Sequence, residues 1–306
     1  MKYFTLRKTA KFKETKMKLI SFHYNGRERY GAVKEGGIVD LSSEKFQETA
    51  LRNLKAVLEA GSDAMTDLKR IVESNSAEID LGDVTFRIPV HKPSKIFCVG
   101  RNYYAYHEVM EDGRPDWPSI FPRFRDSFSA HNQPIIRGLD DGDQLDYEGE
   151  LVVVIGKQGR HILEENSMDY VGGYTIANEG SVRNWIGRGT QNCPVKNQWR
   201  SGSMGPAMVT ADEIDDPMDL QIVTIVNGEK RQNGSTSMMI FDIPFVISYI
   251  SRFTRLEPGD LICTGSPGGS AIEHDPPGYL KPGDQIEVQI GGVGSLQNLV
   301  ESEALD

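Results

Sequence analysis

Glu148 and Glu150 stand in the segment DYEGE, directly ahead of the apolar run Leu151-Val152-Val153-Val154-Ile155. Residues i and i+2 of a strand point the same way, with Cα atoms roughly 7 Å apart at ~3.3 Å rise per residue. Two carboxylates held that close, partly buried, repel and raise each other's pKa. A retained proton or a cation between them relieves the repulsion. Hard carboxylate oxygens, without cysteines or a histidine cluster, suit Mg2+, Mn2+ or Ca2+ rather than zinc. A third protein ligand is expected, and Glu179 in GYTIANEGSVRNW follows directly on a predicted strand ending at Asn178.

Other chemistries are set aside by spacing. HEVME at 107–111 has Glu111 where a zinc-binding HExxH motif needs its second histidine. No GxGxxG follows an early strand, and GGVGSL near the C-terminus has the wrong spacing and context. There is no phosphate loop of the GxxxxGK[ST] kind, and Ser266 sits in TGSPG rather than in a GxSxG elbow.

The elements that must position these residues are mostly strands. KIFCVG (95–100), ELVVVIG (150–156), GYTIAN (173–178), DLQIVTIVNG (219–228), DLICTG (260–265) and DQIEVQIGG (284–292) are β-branched and bounded by Gly, Pro or Asn. One helix is predicted near 241–253, FDIPFVISYISRF. Pro258-Gly259 and Pro282-Gly283 suit the centre of type II turns ahead of two of the strands. Upstream, residues 18–41 read as a β-meander with turns at Asn25-Gly26 and Gly36-Gly37. Residues 47–60 carry Leu51, Leu54 and Leu58 at helical spacing and end at Gly61, and Ser62 or Asp63 can cap a second short helix. RIPVHKPSK, with Pro89 and Pro93, reads as a linker. The organisation expected is a disordered extension over 1–16, a small N-terminal α+β domain over 17–90, and a β-rich catalytic domain over 91–306, built as a closed roll or sandwich rather than a wound parallel sheet.

The bulk numbers agree with a soluble protein. The chain has 306 residues, 38% hydrophobic and 25% charged, and a formal net charge of −10. Such a surface repels phosphate backbones, so no nucleic-acid partner is expected. No stretch approaches ~18 consecutive apolar residues, so no membrane span is expected. Cys98, Cys193 and Cys263 are odd in number, far apart and free of CxxC spacing, which points to a reducing cytoplasm. The lysine-rich N-terminus lacks the apolar core of a secretory signal.

Five segments, taken in order, carry a resemblance: DYEGELVVVIGKQGR, GGYTIANEGSVRNW, VNGEKRQNGSTSMMIFDI, LEPGDLICTGSPGG and LKPGDQIEVQIGGVGSLQN. Together, over about residues 95–300, they resemble the fumarylacetoacetate hydrolase family, and residues 17 to about 90 resemble the small N-terminal domain many members carry. The resemblance implies a β-roll catalytic domain, a homodimer, a bound Mg2+ (or Mn2+ or Ca2+), and a small keto or dicarbonyl acid as substrate. By motif position it implies Glu148, Glu150 and Glu179 as metal ligands, with Glu179 where the family commonly has Asp. His107, with Glu108 or Glu111 as its acid partner, falls in the segment that carries the family's general base, one residue later than usual. Lys196 matches a lysine near the substrate. Tyr103, Arg123, Gln232, Thr264 and Ser266 fall in the substrate-binding set, with Thr236 beside Gln232; Ser266 stands where Thr is more common. The function implied is hydrolytic cleavage of a C–C bond in an acylpyruvate- or fumarylacetoacetate-like acid, as in aromatic catabolism. The alternatives are an isomerase or decarboxylase of 2-hydroxymuconate-type or oxaloacetate-like acids, and a non-catalytic binder on the same fold.

Overall fold

Two tight turns start the chain on its way. The computed structural model describes residues 17–43, 46, 52–104, 115–139 and 142–304. Within them β1 (Lys18–Tyr24), β2 (Arg27–Lys34) and β3 (Gly37–Asp40) form the expected meander. Asn25 and Gly26 both take left-handed φ, 49° and 73°, the pair a type I′ hairpin requires. The second turn is made by Glu35 and Gly36, at φ 52° and 81°, rather than by Gly36 and Gly37. Gly37 opens β3 instead, where a Cβ would come within 2.9 Å of the Ala77 side chain.

Asn53 caps α1 (Leu54–Ala60) by accepting from the Ala56 N–H at 2.9 Å. Leu51 lies outside the described residues. The expected cap of the next helix, at Ser62 or Asp63, is not used. Gly61, at φ 84°, both ends α1 and precedes α2 (Ser62–Ser74), so Ser62 is already helical. β4 (Ile79–Asp80) then pairs with β3, and β5 (Thr85–Arg87) with β1. The segment read as a linker is irregular but fastened: Ile88 and Val90 are buried, and the Ser21 hydroxyl donates to the Pro89 carbonyl at 2.6 Å.

The remaining strands are β6 (Ile96–Gly100), β7 (Ser119–Pro122), β8 (Phe128–Ala130), β9 (Ile135–Arg137) and β10 (Leu145–Asp146). They continue with β11 (Gly149–Ile155), β12 (Val171–Asn178), β13 (Ser181–Val182), β14 (Gly202–Thr210) and β15 (Gln221–Val226). β16 (Glu229–Ser235), β17 (Leu261–Cys263), β18 (Gln285–Ile290) and β19 (Gly294–Ser302) complete the set. Two further helices are α3 (Cys193–Lys196) and α4 (Ile243–Phe253), the latter capped by the Asp242 carboxylate.

These strands form a mainly β, mixed architecture. One large sheet runs β4-β3-β2-β1-β14-β12-β11-β17-β6-β7, with β5 on β1 and β8 on β14; a second runs β16-β15-β18-β19-β9; β10 and β13 pair by themselves. β14 is the junction, because β1 joins it at Lys18↔Val209 and β8 joins it at Gly202↔Phe128. The N-terminal meander and the site-bearing strands therefore share one sheet.

β11 lies in the middle and is buried along its whole length. Val152 and Val154 join a cluster with Leu19, Leu58 and Leu261, while Leu151, Val153 and Ile155 join another with Ile222, Val288 and Ile247. A strand covered on both faces reads as a continuous apolar run, which explains LVVVI. The Pro-Gly devices behave alike: Gly259 and Gly283 take φ 85° and 95°. The Asp260 and Asp284 carboxylates accept from the Glu257 and Lys281 N–H groups at 2.8 and 2.7 Å.

Candidate metal centre

The pairing of β11 with β12 dictates the site. Gly149 is opposite Asn178 at the end of that ladder, so Glu148 and Glu179 are the next residues off each strand and face one another. The Glu179 N–H donates to the Glu148 carbonyl at 2.7 Å, and the Asn178 side chain accepts from the Glu148 N–H at 2.8 Å. Glu150, two residues on, reaches the same place. One carboxylate oxygen from each of Glu148, Glu150 and Glu179 lies within 4.8 Å of the others. Gly149 between them has no room for a side chain: a Cβ would lie 2.4 Å from the Thr224 hydroxyl oxygen.

Each carboxylate is held on one side. Glu148 Oε1 accepts from Arg183 Nη2 at 2.9 Å and from the Ser181 hydroxyl at 2.5 Å. Glu179 Oε1 accepts from Arg123 Nη1 at 2.9 Å. Glu150 Oε2 accepts from the Gly265 N–H at 2.9 Å. Lys196, at the end of α3, bridges the other two oxygens, reaching Glu148 Oε2 at 2.8 Å and bonding Glu179 Oε2. Glu150 has no ion pair among the described residues.

The electrostatics follow this arrangement. Burial alone would raise Glu148, but Lys196 and Arg183 bring it down to about 2. Burial and the neighbouring Glu179 push Glu150 well above the usual carboxylate range. Burial raises Glu179 as well, against the pull of Lys196. Burial works against the Lys196 ammonium, yet Glu148 and Glu179 hold its pKa above the ordinary lysine value. Four buried or half-buried carboxylates, with Asp146, meet three cations, Lys196, Arg123 and Arg183. With all four ionised one negative charge would remain, and it is the unpaired, least favourably placed Glu150 that escapes it by holding its proton. An all-oxygen donor set with surplus negative charge fits a hard dication.

The other residues singled out from the sequence are placed as follows. Tyr103 is buried, its segment bridged to Met239, and its hydroxyl pKa is raised by burial and by Glu150. The Thr264 hydroxyl donates to the Leu151 carbonyl at 2.8 Å, and Ser266 is half-buried just beyond Gly265. Gln232 is turned into the scaffold: its oxygen accepts from the Gly149 N–H at 2.9 Å and the Thr224 hydroxyl at 2.7 Å, and its nitrogen donates to the Pro267 carbonyl at 2.6 Å. Thr236 is likewise internal, accepting from the Leu220 N–H at 2.8 Å. Arg123 is buried, and its donors go to Glu179, Gly180, Ser127 and Ser201. That leaves it braced against a metal-ligand candidate and not turned to an incoming acid. His107, Glu108 and Glu111 lie outside the described residues. The sequence reading did not find Asp146, Arg183 or Ser181. Asp146 carried a signal, since it stands two residues before Glu148, as Glu148 does before Glu150; the other two depend on cross-strand register.

Comparison with known proteins now bears on this geometry. The family model for the Fumarylacetoacetate (FAA) hydrolase C-terminal region matches residues 95–301. The chain belongs to the fumarylacetoacetate hydrolase family. It is 35% identical over 272 residues to a mitochondrial oxaloacetate tautomerase of Xenopus laevis, covering 87% of this chain and 83% of that protein. It is 39% identical over 231 residues to the oxaloacetate tautomerase YisK of Bacillus subtilis, covering 74% and 77%. Among solved structures, maleylpyruvate hydrolase from Sphingobium sp. SYK-6, in complex with manganese(II) and pyruvate, superposes with a TM-score of 0.77 at 25% identity, covering 94% of this chain and 100% of that one. The mainly β fold expected for the family is the one observed. Among the described residues no helix is long and apolar enough to cross a membrane.

Proposed function

We propose that this fumarylacetoacetate hydrolase family member is a divalent-metal-dependent keto–enol tautomerase acting on a small 2-oxo dicarboxylic acid of the oxaloacetate type. The observation that carries this reading is the convergence of Glu148, Glu150 and Glu179 within 4.8 Å beside Lys196. These glutamates would hold Mg2+ or Mn2+, which supplies Lewis acidity that makes the carbon next to a 2-oxo group a stronger acid. A dication that displaced the Glu150 proton would leave the site with one positive charge, which suits an anionic substrate. Lys196, kept charged by Glu148 and Glu179, would hold one anionic end of that substrate and limit its freedom. The Tyr103 hydroxyl, kept protonated by burial and Glu150, would serve as a proton donor. Tautomerisation moves one proton between carbon and oxygen and needs no water, and it is the activity named for the relatives at 35% and 39% identity.

A second reading is hydrolytic cleavage of an acylpyruvate, favoured by the likeness to maleylpyruvate hydrolase. There His107, with Glu108 or Glu111, would activate the water. A homodimer belongs to either reading.

The test follows oxaloacetate enol decay by ultraviolet absorbance, beside acylpyruvate cleavage, with Mn2+ or with chelator. Metal-dependent acceleration of enol decay that is lost in the Glu148→Ala/Glu150→Ala variant supports the tautomerase. Acylpyruvate cleavage with no effect on enol decay would transfer the function to the second reading.

A further inference from the structure

Asp146 is a fully buried carboxylate that none of the chemistry above uses. It lies on β10, whose register with β13 sets it opposite Ser181. Its Oδ1 accepts from the Tyr147 N–H at 2.7 Å and the Ala271 N–H at 2.6 Å. Its Oδ2 accepts from Arg183 Nε at 2.7 Å and the Ile272 N–H at 3.3 Å. One carboxylate thus grips both an arginine and the far end of the segment running from Gly265.

Both partners lead to the glutamates. Arg183 passes from Asp146 to Glu148 Oε1. Ser181, opposite Asp146, donates to that same oxygen. The 265–272 segment is tied at its other end by the Gly265 N–H to Glu150, and in its middle by the Pro267 carbonyl to Gln232. Gln232 in turn holds the Gly149 N–H between the two glutamates. Glu148-Gly149-Glu150 and the 265–272 segment are therefore laced together at three points, of which Asp146 is the one that also sets Arg183.

We propose that Asp146 is a positioning residue. Acting through Arg183, it fixes the rotamer of Glu148 so that the carboxylate stays turned into the triad, where Lys196 meets Oε2, and it locks the 265–272 segment in register with the same carboxylate. This rests on the metal-centre reading given above. The guanidinium is the lever: a planar fork held on one side by Asp146 offers its remaining N–H groups to Glu148 in one orientation only. Outer partners of this kind change metal affinity by roughly 10–100-fold when removed.

The experiment is Mn2+ titration of the full-length chain by calorimetry or electron paramagnetic resonance, with melting in chelator as the check on folding. Wild type, D146N, R183M and the double variant are compared. D146N is expected to weaken Mn2+ binding by roughly 10-fold or more. The double variant should lose clearly less than the two single losses combined, since Asp146 acts in part through that arginine. D146E, which keeps the charge and is displaced by one methylene, should fall between wild type and D146N. Should D146N fail to fold, D146E and R183M carry the comparison. Mn2+ binding by D146N or D146E equal to wild type would overturn the proposal, as would additive losses in the double variant. Wild type taking up no Mn2+ would instead remove the metal-centre reading on which it rests.

Discussion

Replacing Glu150 with Gln should separate stability from metal uptake in opposite directions. Glu150 is buried, lies within 4.8 Å of two other carboxylates, and has no ion pair among the described residues. Two unit charges at that distance repel by about 3 kcal/mol at an effective dielectric of about 20. The carboxyl escapes part of this by keeping its proton, so the expected gain from the neutral amide is about 1–3 kcal/mol. Gln keeps an oxygen for the Gly265 N–H. The pH dependence has a definite sign. The folded-state pKa of Glu150 is raised above its ordinary 4.5, so wild type loses stability as pH rises above about 4.5, where the unfolded chain gives up its proton first. The advantage of E150Q is therefore absent in acid and grows toward neutral pH. Melting in chelator at pH 7.5 should show E150Q above wild type by about 2–6 °C, at about 2 °C per kcal/mol for a chain of this size. With millimolar Mn2+ the order should reverse, because wild type gains a ligand and the variant does not. An E150Q protein that melts below wild type in chelator, or that gains as much from Mn2+, would refute the reasoning.

Two further perturbations test the scaffold. His131 is buried against Phe86 and accepts from the Gln297 N–H at 3.1 Å; burial depresses its pKa to about 4. A depressed histidine loses stability as pH falls below its ordinary value, so in urea unfolding the difference between His131→Asn and wild type should shift in the variant's favour by about 2 kcal/mol between pH 6.5 and 5. Gly149→Ala places a methyl 2.4 Å from the Thr224 hydroxyl oxygen and 2.9 Å from a Val288 methyl; it should cost about 1–3 kcal/mol in unfolding free energy, and Thr224→Ala in the same chain should recover part of that.

The strands with β-branched runs were legible because burial on both faces writes itself as composition: ELVVVIG and GYTIAN became β11 and β12 within two residues. β14 was not legible. Its sequence, GSMGPAMVT, holds two glycines and a proline, and only its place between β12 and β1 makes it a strand. β16 (EKRQNGS) and β19 (GSLQNLVES) hid in the same way behind polar residues. The three glutamates could be named in advance because Glu148 and Glu150 flank the first residue of one strand and Glu179 follows the end of the next. What could not be read was which side chains brace them. Arg123 reaches Glu179 across 56 positions of chain, Arg183 reaches Glu148 across 35 and Gln232 reaches the intervening Gly149 across 83, and no local pattern encodes such a span. Gln232 shows that a motif position does not fix where a side chain turns, since its amide bonds the protein's own backbone.

The edge of β14 is divided between two owners, β8 over Gly202–Met204 and β1 over Met208–Val209. Cutting the chain after residue 90 would leave the second half of that edge bare, with unpaired N–H and C=O groups beside Ala207 and Met208, which are otherwise buried. Bare strand edges recruit other chains. β1 and the sheet it carries thus act as a guard rail for the strand next to β12, and any exchange of this module between relatives must bring a strand that meets Val209 in the same phase.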